Sequence, residues 1–183
     1  MSQHAYPASL TVRILAFVYD LMLVIAILLI GGALPLVFTG GDAIEPGTVA
    51  GFLYQLYLLL LTGGFFVFFW VRGGQTLGMK TWRLRVVHPD GQLIGVRTAL
   101  VRILLPAIGW ALVFAGLYWA YFSDWSQVQS RGSQHFTLLL ASLPLVLMFG
   151  WIRVDEWRRG WHDRLANTLV VREPKRPKAD PAD

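Results

Sequence analysis

Four runs almost free of charge, residues 14–38 (interrupted by Asp20), 49–71, 103–122 and 135–152, constrain this chain more than any other feature in it. A helix rises 1.5 Å per residue, so about 20 apolar residues cross the roughly 30 Å hydrocarbon core of a bilayer, within a working range of about 17 to 25. Backbone in lipid must satisfy its own N–H and C=O groups, and a run of this length does so as a helix. The fourth run is the shortest and contains Pro144, which a membrane helix tolerates when its neighbours re-satisfy the freed backbone groups. Composition agrees: the chain is 55% hydrophobic and 15% charged with mean hydropathy +0.52, against roughly 25% charged in an ordinary soluble domain. The opening run is longer than the apolar core of a signal peptide and is read as a retained span.

The expected fold class is therefore an all-α transmembrane bundle of four helices, with spans at about 12–38, 49–71, 102–122 and 135–153. They belong to one membrane domain over residues 1–172, and the Pro, Lys and Asp of residues 173–183 read as a disordered tail. With no cysteine in the chain, disulfides, thiol chemistry and cysteine metal sites are excluded.

Charge sets the expected orientation. Of the 16 Lys and Arg, one (Arg13) lies at the start of the first run, six between the second and third runs, and eight after the fourth, fifteen in all on one side. Only Arg131 lies on the other side. Basic residues near span ends stay cytoplasmic, so residues 72–101 and both termini are expected inside. The formal charge of +5 is then an orientation signal and a contact for anionic headgroups; nucleic acid is not an expected partner, whereas a homo-oligomer is compatible with the chain. Trp70, Trp119, Trp125, Trp151, Trp157 and Trp161 fall near run ends, where aromatic belts form; Trp110, in mid-run, is assigned to packing.

Outside the runs, Arg83-Leu84-Arg85-Val86 alternates, Pro89-Asp90-Gly91 supplies a turn and Gln92-Leu93-Ile94 resumes an extended pattern, which predicts a small cytoplasmic β-hairpin. A lone hairpin is marginal in water, and Thr168-Leu169-Val170-Val171 is the candidate third strand. Residues 96–105 read as an interfacial approach to the third span. Ala107, Ala111 and Ala115 form a small-residue stripe that would admit another helix.

Asp20 is the anomaly in the first run. A charged group in mid-membrane costs about 2.5 to 3.5 kcal/mol on insertion scales and usually faces the bundle interior or a water cavity. An interfacial position is the alternative, because Leu21–Phe38 alone nearly completes a span. Arg13 shares the face of Asp20 two turns earlier, but helical side chains lean toward the N-terminus, so no direct pair between them is expected. Partners for Asp20 are sought among Gln75, Lys80, His162, Asp163 and Arg164, and one polar cluster of Arg13, Asp20 and Asp163 is expected at the inner end.

Together, Arg13-Ile-Leu-Ala-Phe-Val-Tyr-Asp20, Gly74-Gln75-Thr76-Leu77-Gly78-Met79-Lys80 with Leu84-Arg85-Val86-Val87, and Trp161-His162-Asp163-Arg164-Leu165-Ala166-Asn167-Thr168-Leu169-Val170-Val171 resemble the RDD family of bacterial membrane proteins. The family's naming Arg and two Asp map onto Arg13, Asp20 and Asp163. Asn167 stands where such sequences often have Gly, which keeps the turn chemistry because Asn tolerates the left-handed conformation. The resemblance implies an integral protein of the bacterial cytoplasmic membrane and, as an activity, cation/proton transport; in that reading Asp20 and Asp163 exchange a proton or cation near the inner face, with Arg13 holding charge balance or lipid phosphate. The competing reading is a non-transporting accessory protein for membrane-protein assembly or lipid organisation, in which the three residues form a structural clasp. No catalytic residue, cofactor or metal is expected: His162-Asp163 lacks the further His and Asp of a phosphohydrolase, and the glycines of residues 73–78 follow a span rather than a strand.

Overall fold

The computed structural model describes residues 6–123 and 130–174. Its elements are β1 (Tyr6–Pro7), α1 (Leu10–Phe38), α2 (Val49–Gly73), α3 (Leu77–Thr81), β2 (Leu84–Val87), α4 (Val96–Tyr121), α5 (Arg131–Gly150), a 3-10 turn (Trp151–Arg153), α6 (Trp161–Leu165) and β3 (Leu169–Arg172). Four helices are long and apolar enough to cross a membrane: α1, α2, α4, and α5 extended through its 3-10 turn. Their sides carry large exposed apolar groups, with Leu29 71%, Leu59 64% and Phe114 62% accessible. A helix apolar all round needs an apolar surround.

The spanning helices meet where side chains are smallest. Gly31 and Gly32 of α1 lie against α2, and the Tyr57 and Tyr54 hydroxyls donate to their carbonyl oxygens at 3.0 and 2.9 Å. Gly109 and Gly116 of α4 receive Leu145 and Ala141 of α5. Close backbone approach of this kind holds helices together in lipid, where burial of apolar surface supplies little drive. The face of α4 in use is thus not the alanine stripe expected from sequence: Ala107, Ala111 and Ala115 are exposed. Trp110 is likewise 41% exposed and stacks on Phe114 along the outer surface. Residues 96–105 form no separate approach segment, since α4 runs unbroken from Val96 through Pro106.

The buried core lies at one end of the bundle. Ala8, Ala16, Met79, Leu84, Val86, Ile94, Ala99 and Val170 pack into a single cluster, joining the start of α1, the α2–α4 connection, the start of α4 and the segment after α6. A three-stranded antiparallel sheet of order β1–β3–β2 covers it, with Tyr6 and Leu84 both opposite Arg172, and Val86 opposite Val170. The β-branched run at residues 168–171 does supply a strand, and it is the central one.

The predicted second hairpin arm is not a strand. Residues 92–94 close a turn, with the Gly91 N–H donating to His88 O at 2.8 Å and the His88 N–H to Gln92 O at 2.9 Å. The reason is that both edges of β2 are occupied: β3 takes one, and the Val86 N–H donates to Gly74 O at 2.7 Å on the other. Gly74 sits at φ 68° and a Cβ there would press into the Val86 carbonyl, so the left-handed turn ending α2 requires glycine. Ile94 instead turns into the core. β1, two residues long, was too short to leave a periodic signal. Trp125 and residues 175–183 of the expected tail lie outside the described residues.

The register makes a direct prediction. Opposed residues in an antiparallel pair hold their Cβ atoms about 4.5–5.5 Å apart, so Arg85→Cys with Val171→Cys, in a chain with no native cysteine, should crosslink under mild oxidation. Absence of the crosslink in folded protein would show that β2 and β3 are not partners.

Candidate functional site

Two buried polar joints occupy the sheet end. The first centres on Asp163, at 0% exposure. It is the third residue of α6, whose N-cap is Gly160, and its Oδ2 accepts the Gly160 N–H at 3.0 Å, the reach-back arm of a capping box. The same oxygen accepts from Arg13 Nη1 of α1 at 2.7 Å, and Oδ1 accepts from Arg102 Nη1 of α4. Arg102 Nη1 donates also to Thr168 Oγ1 at 2.6 Å, and its guanidinium lies over the Trp70 ring at 4.9 Å, a cation–π arrangement.

Arg13 is spent almost completely: Nε donates to Ala8 O at 3.3 Å, and Nη2 to Arg158 O at 2.6 Å and Val170 O at 3.5 Å. These carbonyls tie the start of α1 to β3. Asn167, at φ 49°, makes the turn that carries the chain from α6 into β3, as its tolerance of that conformation predicts. Its carbonyl accepts from His88 Nδ1 at 2.9 Å.

The second joint is Asp20, 3% exposed on α1. Its Oδ2 accepts from Thr76 Oγ1 at 2.5 Å and its Oδ1 from the Gly78 N–H at 2.8 Å. Thr76 is the N-cap of α3, and its hydroxyl oxygen accepts in turn from the Met79 N–H at 3.2 Å. Asp20 therefore pins α3 flat against α1 by its first turn. A Cβ at Gly78 would strike the Ala16 carbonyl oxygen and the Asp20 carboxyl, so only glycine permits this approach.

The expected single cluster of Arg13, Asp20 and Asp163 is thus corrected to two. Arg13 and Asp163 come together; Asp20 does not join them, because α3 reaches it first with an O–H and an N–H. Arg13 and Asp20 make no direct pair, as their lean along α1 predicts. Of the supporting residues, Gln75 donates to Glu173 Oε2 at 3.3 Å rather than to Asp20, and the Lys80 and Arg164 side chains are exposed. His162 is buried beside Asp163, its Nε2 3.5 Å from Oδ1.

Arg102, Thr168, Thr76 and Gly78 were missed as site residues. Arg102 stood in the sequence as a topological charge and as part of the interfacial approach at residues 96–105, although an Arg set within Ala99-Leu-Val-Arg-Ile-Leu-Leu105 already calls for a buried partner. Thr76 carried an N-cap signal that was not connected to Asp20.

Electrostatics follows from this packing. Burial pushes the Asp163 carboxyl up, but Arg102, Arg13 and the Gly160 N–H outweigh it and hold the group well below the usual carboxylate range. Burial, helped by Arg102 and Arg13 and opposed by Asp163, lowers His162 to about 4. The imidazole is neutral at pH 7. Among the described residues no three His, Asp or Glu converge in a metal-holding arrangement. Losing one partner of a buried ion pair costs about 3–5 kcal/mol.

The His162 shift has a measurable consequence. The unfolded imidazole binds its proton near pH 6.5 and the folded one only near pH 4, so between these values protons favour the unfolded chain and stability falls as pH drops. The full effect is about 3 kcal/mol. In detergent, His162→Phe should flatten this part of the stability profile between pH 6.5 and 4; an unchanged slope would place the titration elsewhere.

A family model, the RDD family, matches residues 7–167. No curated protein and no solved structure matches the chain. The matched region takes in all four spanning helices, with Arg13, Asp20, Arg102 and Asp163 inside it. This chain belongs to the RDD family and is a multi-pass membrane protein.

Proposed function

We propose that the protein is a non-transporting accessory protein of the bacterial cytoplasmic membrane, serving membrane-protein assembly or lipid organisation, with both termini on the cytoplasmic side. It performs no catalysis. The observation that carries this reading is that every carboxylate oxygen of both acids is engaged: Asp163 by Arg13, Arg102 and the N-cap Gly160, and Asp20 by Thr76 and Gly78. A carboxylate held ionised between two arginines does not pass protons near neutral pH, and Asp20 is already committed to the Thr76 hydroxyl and the Gly78 N–H at the start of α3. Both acids act as clasps. Around them, exposed Arg72, Lys80 and Arg97, with Trp151, Trp157 and Trp161 partly exposed, suit an interface with anionic headgroups.

One observation favours the second reading, cation/proton transport: Asp20 is a buried acid ten residues along a spanning helix, the setting in which proton relays occur. Purified protein in sealed liposomes separates the two. On the accessory reading wild type and Asp20→Asn show the same pH-dependent ion flux as empty liposomes, and Asp20→Asn melts at lower temperature. Flux in the wild type that vanishes in a folded Asp20→Asn would establish transport instead. Sidedness is tested by cysteine labelling in intact cells: Thr48→Cys should react with an impermeant reagent from outside and Gln92→Cys should not, and labelling of Gln92→Cys from outside would invert the topology.

A further inference from the structure

Arg102 uses only half of its guanidinium. Its Nη1 is committed to Asp163 and Thr168, while Nε is buried with no partner and Nη2 makes no hydrogen bond among the described residues. Nε and Nη2 form the side-on fork of an arginine, two parallel N–H groups spaced for two oxygens of one oxyanion. The side chain is 5% exposed, so the unpaired Nε is not a solvated surface donor.

The surroundings add positive charge. Arg13 and Arg102 share the single carboxylate of Asp163, and His162 beside it is neutral, leaving one cationic charge in excess. Trp70, under the Arg102 guanidinium, also buries an Nε1–H that has no hydrogen-bond partner among the described residues. Buried donors and charge left unpaired are costly, and an anion accepting from the fork offsets both. Arg102 lies six residues into α4, about 9 Å along it, at the end that carries the basic residues and the exposed Trp151, Trp157 and Trp161. Exposed tryptophans at the end of a span sit at headgroup level.

We propose that the Nε/Nη2 fork of Arg102 is a binding site for a phosphate oxyanion, carried by an anionic lipid headgroup or free in solution. The site is independent of whether the protein transports ions. It makes the joint at Asp163 a sensor of its surroundings as well as a clasp, because the ligand braces the arginine that holds Asp163 to α4.

The test uses the full chain in detergent, with phosphatidylglycerol and inorganic phosphate as separate probes, read by retained adducts in native mass spectrometry and by the melting temperature. Wild type should bind one of the two probes and melt higher with it. Arg102→Lys keeps the charge opposite Asp163 but loses the fork, so its affinity should fall by about tenfold or more; Arg131→Lys, exposed at the start of α5, should bind as wild type does. Binding of phosphatidylglycerol alone identifies a lipid source, and binding of inorganic phosphate identifies a soluble one. Absence of binding by either probe, or undiminished binding by folded Arg102→Lys, overturns the proposal. If Arg102→Lys does not fold, the buried arginine Nε–H resonance of the 15N-labelled wild type decides: it moves when the probe is added, and an unmoved resonance refutes the site.

Discussion

The arrangement of this molecule depends on one buried carboxylate. Asp163 draws together α1 through Arg13, α4 through Arg102 and its own short helix through the Gly160 N–H. Replacing such a buried pair by apolar groups is often neutral for stability, whereas removing one partner is not. Its importance here is geometric. The main pairings of the spanning helices run from α1 to α2, α2 to α4 and α4 to α5, so the starts of α1 and α4 are joined at the sheet end through the small core cluster and these polar contacts rather than by an extended helix face.

Lipid explains why polar joints carry that role. Between spanning helices, apolar burial contributes little because the tails are as apolar as the side chains. Along the spans, adhesion rests on glycine approaches and on two tyrosine hydroxyls donating to helix carbonyls. At the sheet end the balance is different: a true core with Leu84, Val86 and Ile94 is closed by three strands drawn from both ends and the middle of the chain. Asp20 belongs to this second regime. It sits on a spanning helix, yet its ligands come from α3, so an acid that would be costly in hydrocarbon becomes the anchor of a short helix that could not stand alone.

Much of this was legible in the residues. Four spans follow from run length, the one-sided placement of basic residues follows from counting them, and the strand at Leu169–Arg172 follows from a β-branched run with no other use. The avoidance between Arg13 and Asp20 also followed, from the direction in which helical side chains lean. These features are local: each is decided by a stretch of chain no longer than one element and by the solvent that stretch must meet.

What only the tertiary structure decided are the meetings. Arg13 and Asp163 are 150 positions apart in the chain, Arg102 and Asp163 61, and Asp20 and Thr76 56, and no periodicity encodes such a distance. The hairpin failed for the same reason, since the free edge its second arm needed was filled by Gly74 from the end of α2. Two acids that sequence placed in one cluster were separated because α3 supplied Asp20 with donors before any arginine could. Sequence alone determines which groups cannot remain unpaired in lipid; which partner each one takes depends on the helix ends that packing brings within hydrogen-bond reach.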